Sequence, residues 1–112
     1  MKRLLLLAIL IIVTVSSAKA YDHSEVSPSG HTLYYNIVNG HAEVVRPGTS
    51  SSYYNYVTGD LIIPDSVFYQ YEKRPVQVIG TDAFYHCDSL TSVSLPSGIT
   101  QLAALLSIIA AG

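Results

Sequence analysis

Residues 78–96 read Val78-Ile79-Gly80-Thr81-Asp82-Ala83-Phe84-Tyr85-His86-Cys87-Asp88-Ser89-Leu90-Thr91-Ser92-Val93-Ser94-Leu95-Pro96, and this stretch decides the fold. Its end continues into Ser97-Gly98-Ile99. Val93 to Ile99 thereby repeats Leu61-Ile62-Ile63-Pro64-Asp65-Ser66-Val67 at a spacing of 32 residues. Each copy is an apolar strand, a proline, two small polar residues and a β-branched residue. Proline has no N–H to give a strand ladder, so it ends the strand. The branched residue then turns back toward the core. Self-similarity at such a period is the mark of a repeat architecture. Within the quoted unit Leu90, Val93 and Leu95 are expected to point into a stacked core. Ala83 and Phe84 are expected to fill the opposite wall, and Gly80 to permit a tight corner. Cys87 is expected to be a small buried hydrophobe. Ile79, Pro96 and Ile99 complete the repeat-core positions.

Outward from this unit the sequence is β-rich. Leu33-Tyr34-Tyr35-Asn36-Ile37-Val38 and Ala42-Glu43-Val44-Val45-Arg46 flank Asn39-Gly40. Asn-Gly supplies the positive φ of a type I′ turn, so a hairpin is predicted. Tyr21 to Gly30 is polar, carries Pro and Gly, and reads as a leader loop. Pro47 to Ser52 is predicted to be a loop, Tyr53 to Val57 a strand and Thr58-Gly59-Asp60 a turn. Leu61 to Ile63 is predicted to be a short strand. Val67 to Tyr71 and Pro75 to Ile79 read as two strands joined by a charged turn, Glu72-Lys73-Arg74. Thr81 to His86 is the place for a helical turn, capped by Asp82. Leu90 to Leu95 alternates as a strand.

The stretch from Ile79 to Ile99 looks like the bacterial surface antigen A type (BspA-like) leucine-rich repeat. That unit runs roughly Ile-Gly-x-x-Ala-Phe-x-x-Cys-x-x-Leu-x-x-Val-x-Ile-Pro-x-x-Val, and this chain matches nearly every fixed position once. The upstream stretch from Leu33 to Val67 resembles the capping region before such repeats. The resemblance implies a mainly β fold, a β-rich N-terminal cap leading into the start of a leucine-rich-repeat solenoid with a short helical turn. Residues 21–60 would be the cap and 61–100 the repeat segment. One repeat cannot bury its own face, and at least three are usually needed. This chain is therefore expected to be the beginning of a longer array. The implied role is non-catalytic binding or adhesion to a protein or glycan partner, through strand faces such as Thr91, Ser92 and Ser94. No cofactor is implied.

The N-terminus sets the expected address. Lys2-Arg3 precede an apolar run from Leu4 to Val15 and then Ser16-Ser17-Ala18-Lys19-Ala20. This is the layout of a secretory signal peptide over residues 1–20, and its apolar run is too short to span a bilayer. Three of the six Lys and Arg lie in it, while all eight acids follow it, so the remaining chain carries a formal charge of −5. That balance argues against nucleic acid and anionic membrane as partners. A single cysteine leaves no disulfide framework and no cysteine-based zinc site. Export without disulfides is ordinary for a bacterial envelope protein. The cell surface, periplasm or medium is the expected location, with no membrane span after the signal.

After Thr100 the repeat pattern fails. The family would continue Ser-Ile-Gly-x-x-Ala-Phe, but residues 101–112 read Gln101-Leu102-Ala103-Ala104-Leu105-Leu106-Ser107-Ile108-Ile109-Ala110-Ala111-Gly112. Codons permitted for this tail, read from the third base, encode Ile-Gly-Ser-Ser-Ala-Phe-Tyr-His-Cys-Ser-Gly. Ile108, Ile109 and Ala110 fix the last two letters that Tyr-His-Cys requires. A single-base change of frame near codon 100 is the expectation. The alternative is a genuine apolar helix of good helix formers with little amphipathic order, too short to cross a membrane.

Chemistry-bearing residues are sparse. His86-Cys87 is adjacent in sequence, and neighbours on one turn seldom face each other as nucleophile and base. His23, His31 and His41 lack ligand spacing. Asp60 and Asp65 fit turns better than a carboxylate pair. Ser50-Ser51-Ser52 lacks the nucleophile elbow, and no Gly-rich phosphate loop is present. The tyrosines are the surface hint: nine Tyr occur with no Trp. Exposed Tyr favours recognition surfaces, and cross-strand Tyr favours sheet packing. The competing functional expectations are a small secreted hydrolase and a structural module that self-associates through its apolar tail.

Overall fold

The computed structural model describes residues 20–102. The expected signal segment, except Ala20, and the tail beyond Leu102 lie outside them. The described residues are mainly β, with eight strands: β1 His23–Val26, β2 Thr32–Val38, β3 His41–Val45, β4 Gly59–Ile62, β5 Ser66–Tyr69, β6 Glu72–Ile79, β7 Leu90–Ser94 and β8 Gln101–Leu102. One sheet runs β1-β2-β3-β6-β5, with β8 also on β6, and a second pairs β4 with β7. No helix among the described residues is long and apolar enough to cross a membrane.

The β2–β3 hairpin turns at Asn39-Gly40, with φ of 50° and 83°. These are the left-handed values that a type I′ turn needs. Alternation then buries Leu33 and Tyr35 from β2 and Ala42 and Val44 from β3.

Three local expectations are corrected. The leader loop contains β1, which pairs antiparallel with β2, His23 opposite Tyr35 and Val26 opposite Thr32. Its sequence is too polar to signal a strand alone; the ladder offered by β2 supplies the order. Tyr53 to Val57 is not a strand. A single 3-10 turn spans Ser51–Tyr53, with the Ser50 side chain accepting from the Ser52 N–H at 3.2 Å. The charged triplet Glu72-Lys73-Arg74 is not a turn but the start of β6, and the chain reverses at Gln70-Tyr71, with φ of 49° and 64°. Charge favoured a solvent-exposed turn, but Glu72 to Arg74 pair with β5 on one side only, and a strand end with an open side carries charge as readily.

The parallel pairings are the least expected part. β3 runs parallel to β6, with Val44 opposite Ile79. β6 runs parallel to β8, with Ile79 opposite Leu102. β4 runs parallel to β7, with Leu61 opposite Val93 and Ile62 opposite Ser94. The two similar sequence segments, 32 residues apart, therefore lie side by side in register. Between the sheets the chain makes turns closed by backbone bonds. Ala83 N–H donates to Gly80, Tyr85 N–H to Asp82 and Cys87 N–H to Phe84, at 3.2, 3.2 and 3.0 Å. The expected helical turn at Thr81 to His86 is thus a run of tight turns.

Of the repeat-core positions, Ile79, Gly80, Ala83, Phe84 and Cys87 are buried. Leu90, Val93 and Ile99 pack against that core while partly exposed. Pro96 is half-buried. Leu95 does not point into the core and is 40% exposed. Leu95 lies beyond the end of β7 at Ser94, so no ladder holds it inward. Within β7, Gly59 faces Leu90 and Asp60 faces Ser92, leaving Thr91 as an extra residue. Such a bulge resets which side chains face inward. Gly80 is needed for close approach rather than for a special φ. Its N–H donates to Val44 O at 2.8 Å, and a Cβ there would meet that oxygen at 2.9 Å.

Candidate binding surface

The expected face residues Thr91, Ser92 and Ser94 are all exposed. The bulge turns Thr91 and Ser92 outward together, and both hydroxyls donate to Asp60 Oδ1 at 2.8 Å. Asp60 belongs to β4, not to a turn as expected. The bonds from Ser92 and Thr91 hold its carboxyl below the usual carboxylate pKa. A carboxylate with two fixed hydroxyls makes a small polar cluster at the β4–β7 seam. Ser94 lies outside it, on the same strand.

A second cluster forms where the two inter-sheet segments meet. Asn55 and His86 both have φ of 56°. The Asn55 N–H donates to His86 O at 3.1 Å, and Asn55 Oδ1 accepts from Ser89 N–H at 3.0 Å. These bonds set Tyr53-Tyr54-Asn55-Tyr56 beside Phe84-Tyr85-His86-Cys87, residue against residue. Tyr54 and Tyr85 are edge-on with centroids 6.0 Å apart, and Tyr56 stacks on Phe84 at 6.5 Å. The His86 ring sits 4.3 Å from Tyr54 and 4.4 Å from Tyr85. The Arg46 guanidinium covers the Tyr85 ring at 4.5 Å.

Sequence reasoning placed Tyr53 to Val57 on a strand and missed this pairing. The available signal was Tyr-Tyr-Asn-Tyr aligned on Phe-Tyr-His-Cys, with Asn and His at the position that needs a left-handed backbone.

His86 and Cys87 diverge. The ring of His86 faces outward, 3.9 Å from Asp88, while Cys87 is buried and burial pushes its thiol pKa up. His23 reaches Glu25 at 2.8 Å; His31 Nε2 donates to Thr58 O in another loop at 2.6 Å, and its Nδ1 lies 2.8 Å from Ser29 Oγ in its own. No group of three metal-ligating side chains converges among the described residues. Asp65, Ser66, Lys73, Pro75, Ser97 and Gly98 line an open groove of about 330 Å³. No protein-family model, curated protein or solved structure matches this chain.

Proposed function

We propose that this chain is an exported, non-catalytic binding protein, made of a β-rich cap and the first coils of a leucine-rich-repeat solenoid of the BspA-like kind. The observation that carries the reading is the stacking of successive passes of the chain. Val44, Ile79 and Leu102 lie opposite one another across β3, β6 and β8. Ile79 and Leu102 are 23 residues apart, and Leu102 falls where the family's unit would place its next Ile. The in-register β4–β7 pair and the matched Asn55 and His86 backbones support the same reading. Beside the hairpins, the parallel pairs β3–β6, β6–β8 and β4–β7 join one pass to the next, as in repeat proteins. Such stacks offer an extended face, here the strip carrying Thr91, Ser92 and Ser94, to a protein or glycan.

The test is binding by the purified exported chain to arrays of extracellular-matrix proteins and glycans. Saturable binding that weakens on combined Thr91→Ala, Ser92→Ala and Ser94→Ala substitution is expected. Absence of saturable binding across both arrays would overturn the proposal. Reading the coding DNA past codon 100 tests the repeat architecture separately: further Ala-Phe-x-x-Cys units are expected in the shifted frame.

A further inference from the structure

We propose that the Tyr54–Tyr85–His86–Arg46 cluster is a glycan-binding platform, and that its ligand is a neutral hexopyranose. This rests on the non-catalytic binding reading but uses a different surface from the β7 face.

Three observations converge. The aromatic side chains are exposed where packing does not require it: Tyr54 and Tyr85 are 42% and 44% exposed. Their core-side neighbours Tyr56 and Phe84 already fill the interior, with Tyr56 Oη donating to Ala83 O at 2.6 Å. The cluster is also preorganised. Asn55 and His86 hold left-handed backbones, which costs non-glycine residues energy, and each is locked by a hydrogen bond to the other segment. Strain maintained by its surroundings concentrates at binding sites. Third, polar groups of both signs ring the aromatics. Arg46 lies over Tyr85 and has no carboxylate within ion-pair distance among the described residues; its Nη2 donates to Thr49 O at 3.2 Å. Asp88 stands beside His86, 3.9 Å from its ring.

These features match the two surfaces of a pyranose. Its C–H face is apolar and slightly positive, and it packs on the negative face of an aromatic ring. Its vicinal hydroxyls donate and accept, so they need a cation and a carboxylate together. A guanidinium presents paired donors and a carboxylate paired acceptors. Rigid aromatics with a few placed polar groups are how a binding site fixes orientation. A polyanionic sugar fits less well, because Asp88 and a chain charge of −5 outside the signal segment repel it.

The chain has no Trp, so its emission comes from nine Tyr, of which Tyr54 and Tyr85 belong to this cluster. The purified exported chain is titrated with neutral gluco-, galacto- and manno-oligosaccharides, and in parallel with sialyllactose and oligogalacturonate. A saturable emission change with a neutral sugar is expected. Tyr85→Ala and Arg46→Gln should each weaken it roughly tenfold or more, as truncation of a central anchor does. Their circular dichroism melts should stay within a few degrees of the parent. The control variant Lys73→Ala, on the β5–β6 hairpin, should bind the sugar as the parent does. Binding confined to the acidic sugars would overturn the proposal. So would neutral-sugar binding that survives Tyr85→Ala and Arg46→Gln. If sugars fail entirely but matrix proteins bind through the β7 face, this platform falls and the binding reading stands.

Discussion

At the scale of single residues, two buried tyrosines make opposite predictions. Tyr56 Oη donates to Ala83 O, while Tyr35 Oη is buried with no hydrogen-bond partner among the described residues. A satisfied buried hydroxyl contributes about 1 kcal/mol, and removing it leaves its acceptor orphaned. Removing an unsatisfied one relieves a desolvation penalty. Tyr56→Phe should therefore lower stability by about 1 kcal/mol. Tyr35→Phe should leave stability unchanged or raise it, and urea melts of the two variants will separate them. Asp60 gives a pH signature. Its folded pKa lies below the ordinary value of 3.8 because Ser92 and Thr91 donate to its carboxylate. Its contribution is thus fully present above the unfolded value and is lost as pH falls through the lower folded value. The stability gap between the parent and Asp60→Asn should hold steady above about pH 5 and close below about pH 4. A gap that widens in acid would contradict the assignment.

At the scale of elements, turns and close approaches decide the outcome. The β5–β6 hairpin reverses on Gln70-Tyr71, two non-glycine residues in left-handed conformation, and Tyr71 is 94% exposed. Its ring contributes little packing, so the backbone strain is not offset there. Tyr71→Gly should stabilise the chain by about 0.5–1 kcal/mol, a shift visible in its thermal midpoint. Gly80→Ala should act in the other direction. Its Cβ would push on Val44 O, which is main chain and cannot rotate away, so β3 and β6 must part. A loss of about 2 kcal/mol is expected, against a surface substitution such as Thr81→Ala that should cost little.

These elements also show what the sequence could and could not reveal. The Asn39-Gly40 hairpin was legible because a two-residue turn has a strict local chemistry. The 32-residue echo of Leu61 to Val67 was legible because a repeated packing solution leaves a repeated pattern. β1 was not, because a polar edge strand takes its order from the neighbour it pairs with. The bulge at Thr91 was not, because it arises from fitting β7 onto β4 and has no local signal. That bulge brings Thr91 and Ser92 together on Asp60, while Leu95 turns out because it lies past the end of β7. The aromatic cluster was half-legible: the excess of tyrosine was plain, but the alignment of Tyr54 with Tyr85 depends on a first loop longer than the second.

At the scale of the whole molecule, order should decline along the stack. The interior under β2 and β3 is closed on both sides, by β1 with the hairpin and by β6. Leu33, Tyr35, Ala42 and Val44 are fully buried there. Among the described residues β7 pairs with β4 alone, and its apolar residues Leu90 and Val93 are covered only in part. β8 contributes two residues to β6. A strand held on one edge over a half-covered core opens at lower free energy than one held on both. Native-state hydrogen exchange should therefore show the strongest protection at Leu33 to Val38 and Ala42 to Val45, intermediate protection at Val76 to Ile79, and the weakest at Leu90 to Ser94. Supplying a further coil should raise protection at β7 selectively, because it would cover Leu90, Val93 and Ile99 and pair the open edge. Equal protection of β2 and β7 in the unextended chain would mean that β7 opens only with the whole fold. The passes would then form one cooperative unit, and the stack would not be the open-ended array proposed here.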